Sequence, residues 1–333
     1  MLRGGFIGFG NVAAEGHLPG WKATPGVAIV AATDATPARR ALFEARCPGG
    51  QWFESVEALL AGGRLDFVDI CTPPGSHAAL ATRALGAGLH VLCEKPLVTR
   101  TEDAAALARA ANGRVLHTVH NWLEAPLCRK ITALIAEGAV GRLSHIDWQT
   151  LRSRPAVTVS VEGAANWRVD PALAGGGILF DHGWHALYCL LRWAGMAPES
   201  IAARLETRRH REWPIEDTAT VELGFPGARG RIFLTWTAEE RANRVAVQGE
   251  RGRIHVESEA VVLTTVAGER RWACPPALSE GSHHPDWFAG VAAGFQAAIA
   301  GQGRGNLDEA LLCARLIGLA QQSSAQDGRA LKA

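Results

Sequence analysis

Short apolar runs alternate with amphipathic segments through the first third of the chain. Each apolar run has the length of one buried strand, and a helix-like segment follows it. The apolar runs cover Gly4–Gly8, Val27–Thr33, Phe67–Cys71, His90–Cys93 and Val115–Val119. The helix-like segments run from the turn after Gly8 to Lys22, and over Pro37–Arg46, Ser55–Ala61, Ala78–Ala87 and Glu102–Ala111. This order predicts a doubly wound parallel sheet with right-handed crossovers.

Beyond Gly141 the pattern changes to successive strands without helices between them. These strands are predicted over Leu143–Arg152, Ile201–Arg208, Thr218–Phe225, Arg229–Thr237, Arg244–Gly249 and Arg253–Glu257. Such a series predicts an α+β domain with an open, mainly antiparallel sheet. Further helices are predicted over Pro126–Glu137, Trp287–Ala300 and Leu307–Gln322. We therefore expect two domains, residues 1–121 and 122–333, with the C-terminal helices packing back on the first domain.

The strand from Arg231 to Thr237 has apolar residues on both of its faces. An open sheet whose second face is also apolar needs a partner to cover that face. The sequence therefore predicts a homo-oligomer, either a homodimer or a homotetramer.

Composition and charge narrow the class of ligand. Of 333 residues, 47% are hydrophobic and 20% are charged, as in ordinary globular proteins, and the formal net charge of +1 gives no general attraction to nucleic acid or to an anionic membrane. The N-terminus enters a strand without a signal-peptide pattern, and the seven cysteines are scattered without a CxxC pair. We expect a cytoplasmic protein that acts on a small molecule.

A glycine-rich turn directly follows the first strand. Its sequence, Gly8-Phe9-Gly10-Asn11-Val12-Ala13, lets the main chain approach a pyrophosphate at the start of a helix. The second strand ends on Asp34, where an acid accepts hydrogen bonds from the ribose hydroxyls of NAD. Together these features predict dinucleotide binding through Gly8, Gly10, Asn11, Val12, Ala13 and Asp34. Asp34 favours NAD over NADP, whereas Arg39 and Arg40 weaken this preference.

Two later strands of the same sheet also end in candidate ligand contacts. One leads into Thr72-Pro73-Pro74-Gly75-Ser76-His77, and the other leads into Glu94-Lys95-Pro96. The carboxyl ends of parallel strands are where open α/β sheets bind ligands. Pro96 restrains the backbone of Lys95 and so directs its side chain. The alternative interpretation is that Lys95 is an ordinary surface lysine. We expect cofactor contacts from Thr72, Pro73, His77, Glu94 and Lys95.

The segment Gly175–His185 contains a triple glycine, a carboxylate at 181 and an imidazole at 185. The four-residue spacing places Asp181 and His185 on one face if the segment is helical. A helix start, a metal site and a proton-transfer pair are three interpretations of this pattern. His182 completes a formal metal triad, but adjacent residues on a helix point about 100° apart, so no metal is expected.

Taken together, Gly8–Ala13, Asp34, Thr72-Pro73-Pro74 with His77, Glu94-Lys95-Pro96, Trp167-Arg168 and Gly175–His185 resemble the Gfo/Idh/MocA oxidoreductase family. The resemblance spans almost the whole chain. It implies an N-terminal Rossmann domain, a C-terminal α+β domain, and an NAD(P)-dependent enzyme. It also implies hydride transfer between the nicotinamide and a secondary alcohol or ketone of a sugar, cyclitol or related polyol.

The resemblance assigns Lys95, Asp181 and His185 to catalysis. Loss of hydride from a secondary alcohol requires loss of its hydroxyl proton, which a histidine accepts near neutral pH. Lys95 is the alternative acid–base group. Expected substrate contacts are Asn121, Trp122, Arg152, Trp167, Arg168, Asp181 and His182. Core packing for Trp122 and a solvated position for Arg152 are the alternatives.

Two other functions are compatible with these motifs. One is an NAD-dependent glycosidase that oxidises a sugar transiently, and the other is a non-catalytic sensor that binds dinucleotide. The substrate itself is not predicted, because loops such as Pro155–Ala165 shape the pocket.

Overall fold

The computed structural model describes residues 1–157, 166–303 and 305–333, so residues 158–165 of the predicted pocket loop Pro155–Ala165 lie outside it. Within this part the chain forms two compact units. The first contains Met1–Asn121 and Ser282–Leu311, and the second contains Trp122–Val157, Arg168–Gly281 and Leu312–Ala333.

The first unit is built on a six-stranded sheet whose strands are all parallel. Its strands are β1 (Leu2–Ile7), β2 (Val27–Thr33), β3 (Gln51–Trp52), β4 (Phe67–Ile70), β5 (His90–Cys93) and β6 (Leu116–Thr118). The order β3-β2-β1-β4-β5-β6 reverses direction beside β1. This is the topology of a doubly wound dinucleotide-binding sheet, and it confirms the predicted fold class.

The helices between these strands follow from local sequence. A π-helical segment, Val12–His17, leads directly into α1 (Leu18–Ala23), and Ser55 caps α3 by accepting the N–H of Ala58. The remaining helices of this unit are α2 (Arg39–Arg46), α3 (Val56–Gly62), α4 (His77–Gly86), α5 (Thr101–Ala111) and α9 (Pro285–Ile299). Helix α9 packs on α1, where Phe288 and Phe295 contact Trp21 edge to face.

The second unit is built on a nine-stranded mixed sheet. Its strands are β7 (Leu143–Leu151), β8 (Ser200–Glu206), β9 (Thr218–Phe225), β10 (Ala228–Thr235), β11 (Ala242–Gly249), β12 (Gly252–Glu257), β13 (Ala260–Thr265), β14 (Gly268–Ala273) and β15 (Leu331–Lys332). The order is β14-β13-β12-β11-β7-β10-β9-β8-β15. Strands β7 and β10 are parallel, and the other pairs are antiparallel, as predicted for a mainly antiparallel sheet.

Two helices, α6 (Pro126–Ala136) and α8 (Trp184–Ala194), pack on each other and on strands of this sheet. The unit also contains the short helix α7 (Pro171–Ala174). Gly195 ends α8 in the left-handed region, with φ of 68°. The last helix of the chain is α10 (Leu307–Ala325). Trp148, Trp184, Tyr188 and Trp236 are fully buried in the core of this unit.

The structure differs from the sequence prediction at the second face of this sheet. On β9 and β10 the residues that alternate with buried ones include Glu222, Arg229 and Arg231, and the half-buried Phe233 is the large apolar residue among them. Arg231 forms ion pairs with Asp147 and Glu222. The predicted apolar second face is therefore wrong for these strands, because charged side chains predominate there although Phe233 also lies on it.

Strands β13, β14 and β15 were not predicted. Strand β14 lies at the edge of the sheet and exposes most of its residues, so it lacks the apolar alternation that marks a strand. None of the described helices is both long enough and apolar enough to cross a membrane.

Candidate active site

The glycine-rich turn lies between β1 and the first helical segment. Gly8 has φ of 88°, and a Cβ at this position would lie 2.8 Å from Cγ2 of Thr72, so only glycine fits here without strain. At Gly10 a Cβ would meet no protein atom within 4 Å. The space beside the main chain of Gly10 is therefore open to a ligand.

Asp34, at the end of β2, holds this turn through both carboxylate oxygens. Oδ2 accepts the N–H of Phe9 at 2.6 Å, and Oδ1 accepts the N–H of Thr36 at 2.7 Å. Arg39 also lies beside the turn, with Nη2 3.3 Å from Oδ1 of Asn11. A carboxylate and a guanidinium therefore lie on either side of this turn, beside the predicted ribose site.

The turn after β4 is held internally by side-chain hydrogen bonds. The hydroxyls of Thr72 and Ser76 are 2.7 Å apart, and the Ser76 hydroxyl donates to the carbonyl of Pro73. His77 is buried, and its two ring nitrogens lie 2.8 Å from the carbonyl oxygens of Pro96 and Thr72. Burial lowers the pKa of His77, although the hydrogen bonds to the two carbonyls act in the opposite direction. His77 thus joins this turn to the segment that carries Lys95.

Lys95 follows β5 and is half-buried. Its main-chain N–H donates to Oε2 of Glu94 at 2.9 Å, and the Lys95–Pro96 peptide bond is cis. Burial alone would raise the pKa of Glu94, but the hydrogen bond and charge of His17, together with Lys95, lower it. Glu94 is therefore a carboxylate at neutral pH.

In the second unit, the triple glycine packs against Glu216. A Cβ on Gly177 would lie 1.8 Å from the main-chain oxygen of Glu216. The carboxylate of Glu216 accepts the N–H groups of Gly177 and Leu179, each at 3.0 Å. The structure shows that Gly177 makes room for Glu216, a residue that the sequence motif does not contain.

A π-helical segment, Leu179–Gly183, follows the glycines and continues into α8. Asp181 lies in it, with Oδ1 3.8 Å from Nε of Arg168 and Oδ2 3.6 Å from Nε2 of His182. All three side chains are less than one-fifth exposed. Arg168 and His182, both predicted to bind substrate, therefore surround the predicted catalytic carboxylate.

His185 lies in the first turn of α8 and is buried. Its ring stacks on the indole of Trp122, with centroids 4.3 Å apart and an interplanar angle of 12°. Nδ1 of His185 lies 2.7 Å from the hydroxyl of Tyr188, and that hydroxyl accepts the N–H of Trp122 at 3.1 Å. Tyr188 was missed at the sequence level, although it is the only tyrosine of the chain and lies three residues after His185.

Two other predicted substrate contacts have unusual polar environments. Oδ1 of Asn121 is buried without a hydrogen-bond partner in the part of the chain that the structure describes. Arg152 is buried rather than solvated, and its guanidinium donates to the carbonyls of Leu151 and Ala242 and to Oδ1 of Asn243. Burial, followed by the charge of Arg241, lowers the pKa of Arg152 to about 10. Trp167 opens the 3₁₀ turn Trp167–Val169 and is half-buried.

Known proteins resemble the chain along most of its length. It is 30% identical over 309 residues to dTDP-3,4-didehydro-2,6-dideoxy-alpha-D-glucose 3-reductase of Actinomadura kijaniata, which covers 86% of this chain and 90% of that protein. An oxidoreductase from Agrobacterium radiobacter, solved with NAD+, L-tartaric acid and magnesium, has a TM-score of 0.86 at 22% identity, over 99% of this chain and 98% of that one. Levoglucosan dehydrogenase in complex with NADH has a TM-score of 0.87 at 22% identity, with coverage of 99% and 98%.

Family models match both halves of the chain. Residues 2–120 match the oxidoreductase family with an NAD-binding Rossmann fold, and residues 128–255 match the GFO/IDH/MocA C-terminal domain. The first match covers the parallel sheet, and the second covers most of the mixed sheet. The chain therefore belongs to the GFO/IDH/MocA family of NAD-binding oxidoreductases.

Proposed function

We propose that this protein transfers hydride between a nicotinamide and a secondary alcohol or ketone of a sugar, cyclitol or related polyol. The observation that carries the proposal is the environment of His185, whose ring is stacked on Trp122 and bound at Nδ1 by the Tyr188 hydroxyl. These two contacts hold the imidazole ring in one orientation, which suits a group that transfers a proton. Histidine has an ordinary pKa of about 6.5, which suits this role near neutral pH.

The catalytic roles divide among three residues. His185 takes the hydroxyl proton of the substrate in oxidation and returns it in reduction. Lys95 donates a hydrogen bond to the reacting oxygen and so stabilises the negative charge that develops there. Asp181, beside Arg168 and His182, accepts hydrogen bonds from neighbouring substrate hydroxyls.

The first unit provides the groups that fit NAD. When bound, NAD supplies the nicotinamide ring that accepts or gives the hydride. The open space beside Gly10 suits a pyrophosphate approached by main-chain N–H groups of the turn Gly8–Ala13. Asp34 retains acceptor capacity for ribose hydroxyls, because each of its oxygens receives one main-chain N–H and has two lone pairs.

NAD is the preferred cofactor in this proposal. A 2′-phosphate would meet the negative charge of Asp34. Thr72, Pro73 and Glu94 follow strands β4 and β5 and form the remaining cofactor contacts, whereas His77 supports them by joining the two segments.

The substrate class rests on the relatives and on the polar groups described above. The Actinomadura relative is a reductase of a dTDP-sugar, and levoglucosan dehydrogenase is a second sugar-acting relative by name. Asn121, Arg152, Trp167, Arg168 and His182 are the proposed substrate contacts. A ligand hydroxyl would satisfy the buried Oδ1 of Asn121.

The direct test is a panel of sugars, polyols, cyclitols and aldonic acids assayed for NADH formation. At least one compound should yield NADH in proportion to product. Tight NAD binding without turnover of any compound would contradict the dehydrogenase proposal. Release of sugar without net NADH would instead identify an NAD-dependent glycosidase.

We further propose a cytoplasmic homodimer or homotetramer. Six of the seven cysteines are buried, which suits a reducing compartment. The second face of the mixed sheet carries charged residues such as Arg231 and Glu222, which pair with each other within the chain and would exchange these partners in an isologous contact. Light scattering across a salt series tests this, and a monomer at all concentrations would contradict it.

A further inference from the structure

A buried chain of hydrogen-bonded side chains runs beside Lys95 in the first unit. His17 lies at the end of the π-helical segment, with Nδ1 2.9 Å from Oδ2 of Asp69 and Nε2 3.0 Å from Oε1 of Glu94. Asp69 is fully buried in β4, and it also accepts the indole N–H of Trp21 at 2.7 Å. His17 therefore bridges two carboxylates, one within β4 and one directly after the neighbouring strand β5.

This geometry requires His17 to be charged. A neutral imidazole donates from only one nitrogen, but both nitrogens of His17 face carboxylate oxygens, which only accept. Burial alone would lower the pKa of His17, but the charge and hydrogen bond of Asp69, followed by those of Glu94, raise it to about 9. His17 is therefore an imidazolium across the neutral range.

The surroundings of His17 hold the ring in place. Phe288 stacks on it, with centroids 4.1 Å apart. Sγ of Cys71 lies 3.2 Å from Nδ1, and burial raises the pKa of this thiol, so it stays protonated. The titratable and charged groups in this environment are Asp69, Cys71, Cys93, Glu94 and Lys95.

Glu94 links His17 to the main chain of Lys95 through its two carboxylate oxygens. One carboxylate oxygen of Glu94 is bound by His17, and the other accepts the main-chain N–H of Lys95. The carboxylate thus fixes the position from which the Lys95 side chain departs. His17, for its part, belongs to the helical segment that begins at the cofactor-binding turn.

We propose that His17 is a positioning residue for Lys95. Its imidazolium fixes Glu94, Glu94 fixes the main chain of Lys95, and the network ties this lysine to the segment that carries the dinucleotide-binding turn. This inference rests on the proposed function for the role of Lys95 in turnover, but the physical link between the two residues is measurable without a substrate.

The first experiment measures Lys95 and His17 directly in the full-length protein. The rate at which Lys95 is reductively methylated, followed by peptide mass spectrometry, should rise several-fold in His17→Gln and in Glu94→Gln. Ring ¹⁵N resonances of His17, identified by their loss in His17→Gln, should report an imidazolium at pH 8. A neutral His17 at pH 8, or unchanged methylation of Lys95 in both variants, would overturn the proposal.

A matched control separates this effect from damage to the core. His117 is a buried histidine of the same sheet, in β6, whose ring contacts Phe295. His117→Gln should lower the free energy of unfolding without changing the methylation rate of Lys95. If it accelerates Lys95 methylation as strongly as His17→Gln does, the effect is general loosening and the proposal fails. Should His17→Gln not fold, the Glu94→Gln result decides alone.

The second experiment uses turnover. With a substrate from the panel, His17→Gln should lower kcat by roughly 10–100-fold while the Kd for NAD changes by less than about threefold. If instead Lys95→Ala retains kcat while the methylation result holds, the catalytic role of Lys95 is wrong but its positioning by His17 stands. Equal loss of NAD affinity and of kcat in His17→Gln would overturn the positioning role.

The sign of the pH dependence follows from the raised pKa of His17. Because the pKa is about 9 in the folded protein and about 6.5 in the unfolded chain, the folded state binds the extra proton between these values. The stabilisation is complete below pH 6.5 and is lost as pH rises through 9. The difference in free energy of unfolding between wild type and His17→Gln should shrink over this window, and a constant difference would contradict the charged state.

Discussion

The Tyr188 hydroxyl lies 2.7 Å from Nδ1 of His185 and also accepts the main-chain N–H of Trp122 at 3.1 Å. Because Trp122 stacks on the His185 ring, this single hydroxyl fixes both the imidazole and the indole that it lies against. The partner of one imidazole nitrogen determines which nitrogen carries the proton. We therefore expect Tyr188 to control the protonation behaviour of His185.

Replacement of Tyr188 by Phe should test this relationship with little change in volume. We expect kcat to fall about tenfold. The free energy of unfolding should fall by about 1–3 kcal/mol, because Nδ1 of His185 and the N–H of Trp122 lose their shared partner in a buried place. The measurements are a pH profile of kcat and a urea titration.

Thr132→Val is the matched control for Tyr188→Phe. Thr132 accepts the indole N–H of Trp193 at 3.0 Å, so the variant also removes a side-chain hydrogen bond from the same unit. It should destabilise the protein without moving the pH profile. A Tyr188→Phe profile that overlays the wild type would refute the role of Tyr188 in protonation.

Separate replacement of His185 and Lys95 by Ala distinguishes the two acid–base groups. Each variant should lower kcat/KM by about 10²–10⁴-fold, the usual contribution of a positioned acid or base. If His185 is the base in oxidation, the acid limb of the pH–rate profile should disappear in His185→Ala and persist in Lys95→Ala. Near-normal turnover in both variants would disprove the catalytic assignment.

Gly10 and Gly177 should respond in opposite ways to substitution by Ala. At Gly10 the new methyl enters open space, so unfolding should be unchanged, while the affinity for NAD should fall about tenfold or more because the methyl occupies the approach to the turn. At Gly177 the methyl would overlap the main-chain oxygen of Glu216, at a cost of about 3 kcal/mol or more. Thermal unfolding and NAD titration of both variants check this contrast. Equal NAD affinity in Gly10→Ala and wild type would contradict the assignment of this turn to the cofactor site.

Asp34→Asn should shift cofactor use toward NADP. The change removes the charge that opposes a 2′-phosphate and also weakens the acceptor for the ribose hydroxyls. The ratio of kcat/KM for NAD to that for NADP should fall about tenfold. Arg39→Gln should move the ratio the other way, because it removes the guanidinium beside Asn11. A ratio that does not respond to Asp34→Asn would contradict the assignment of the ribose site.

The sequence predicted five of the six strands of the parallel sheet, because these strands are mainly apolar and largely buried. It did not predict the two-residue edge strand β3, which is not buried. Phe67–Ile70 and His90–Cys93 are mainly apolar, with one polar residue in each, and turn-forming or charged residues follow them. The edge strand β14 has no such signal, since it pairs with β13 on one side only and most of its residues are exposed to solvent. Burial on both faces, rather than strand propensity, made the first unit predictable.

The sequence predicted only those residues of the candidate site whose side chains can act directly as acids, bases or hydrogen-bond donors in catalysis. Asp181, His185 and Lys95 stand out for that reason, whereas the residues that support them do not. Glu216 contacts Gly177 across 39 positions, and His17 contacts Glu94 across 77, so only the folded chain brings these residues together. Tyr188 was within reach of sequence reasoning, because residues three apart on a helix are neighbours.

His117 should make the protein sensitive to acid. Its ring is buried in β6, and Nδ1 has no hydrogen-bond partner among the described residues. Burial and, to a smaller extent, the charge of His120 lower the pKa of His117 to about 4, although the charge of Glu309 acts to raise it.

The unfolded chain takes up this proton near pH 6.5. The contribution of neutral His117 to stability is therefore present above that pH and is lost as pH falls through 4. His117→Gln should therefore flatten the decline in the free energy of unfolding between pH 6.5 and 4, measured by urea titration. An equally steep decline in His117→Gln would mean that other groups, such as the His120–Glu309 pair, control acid unfolding.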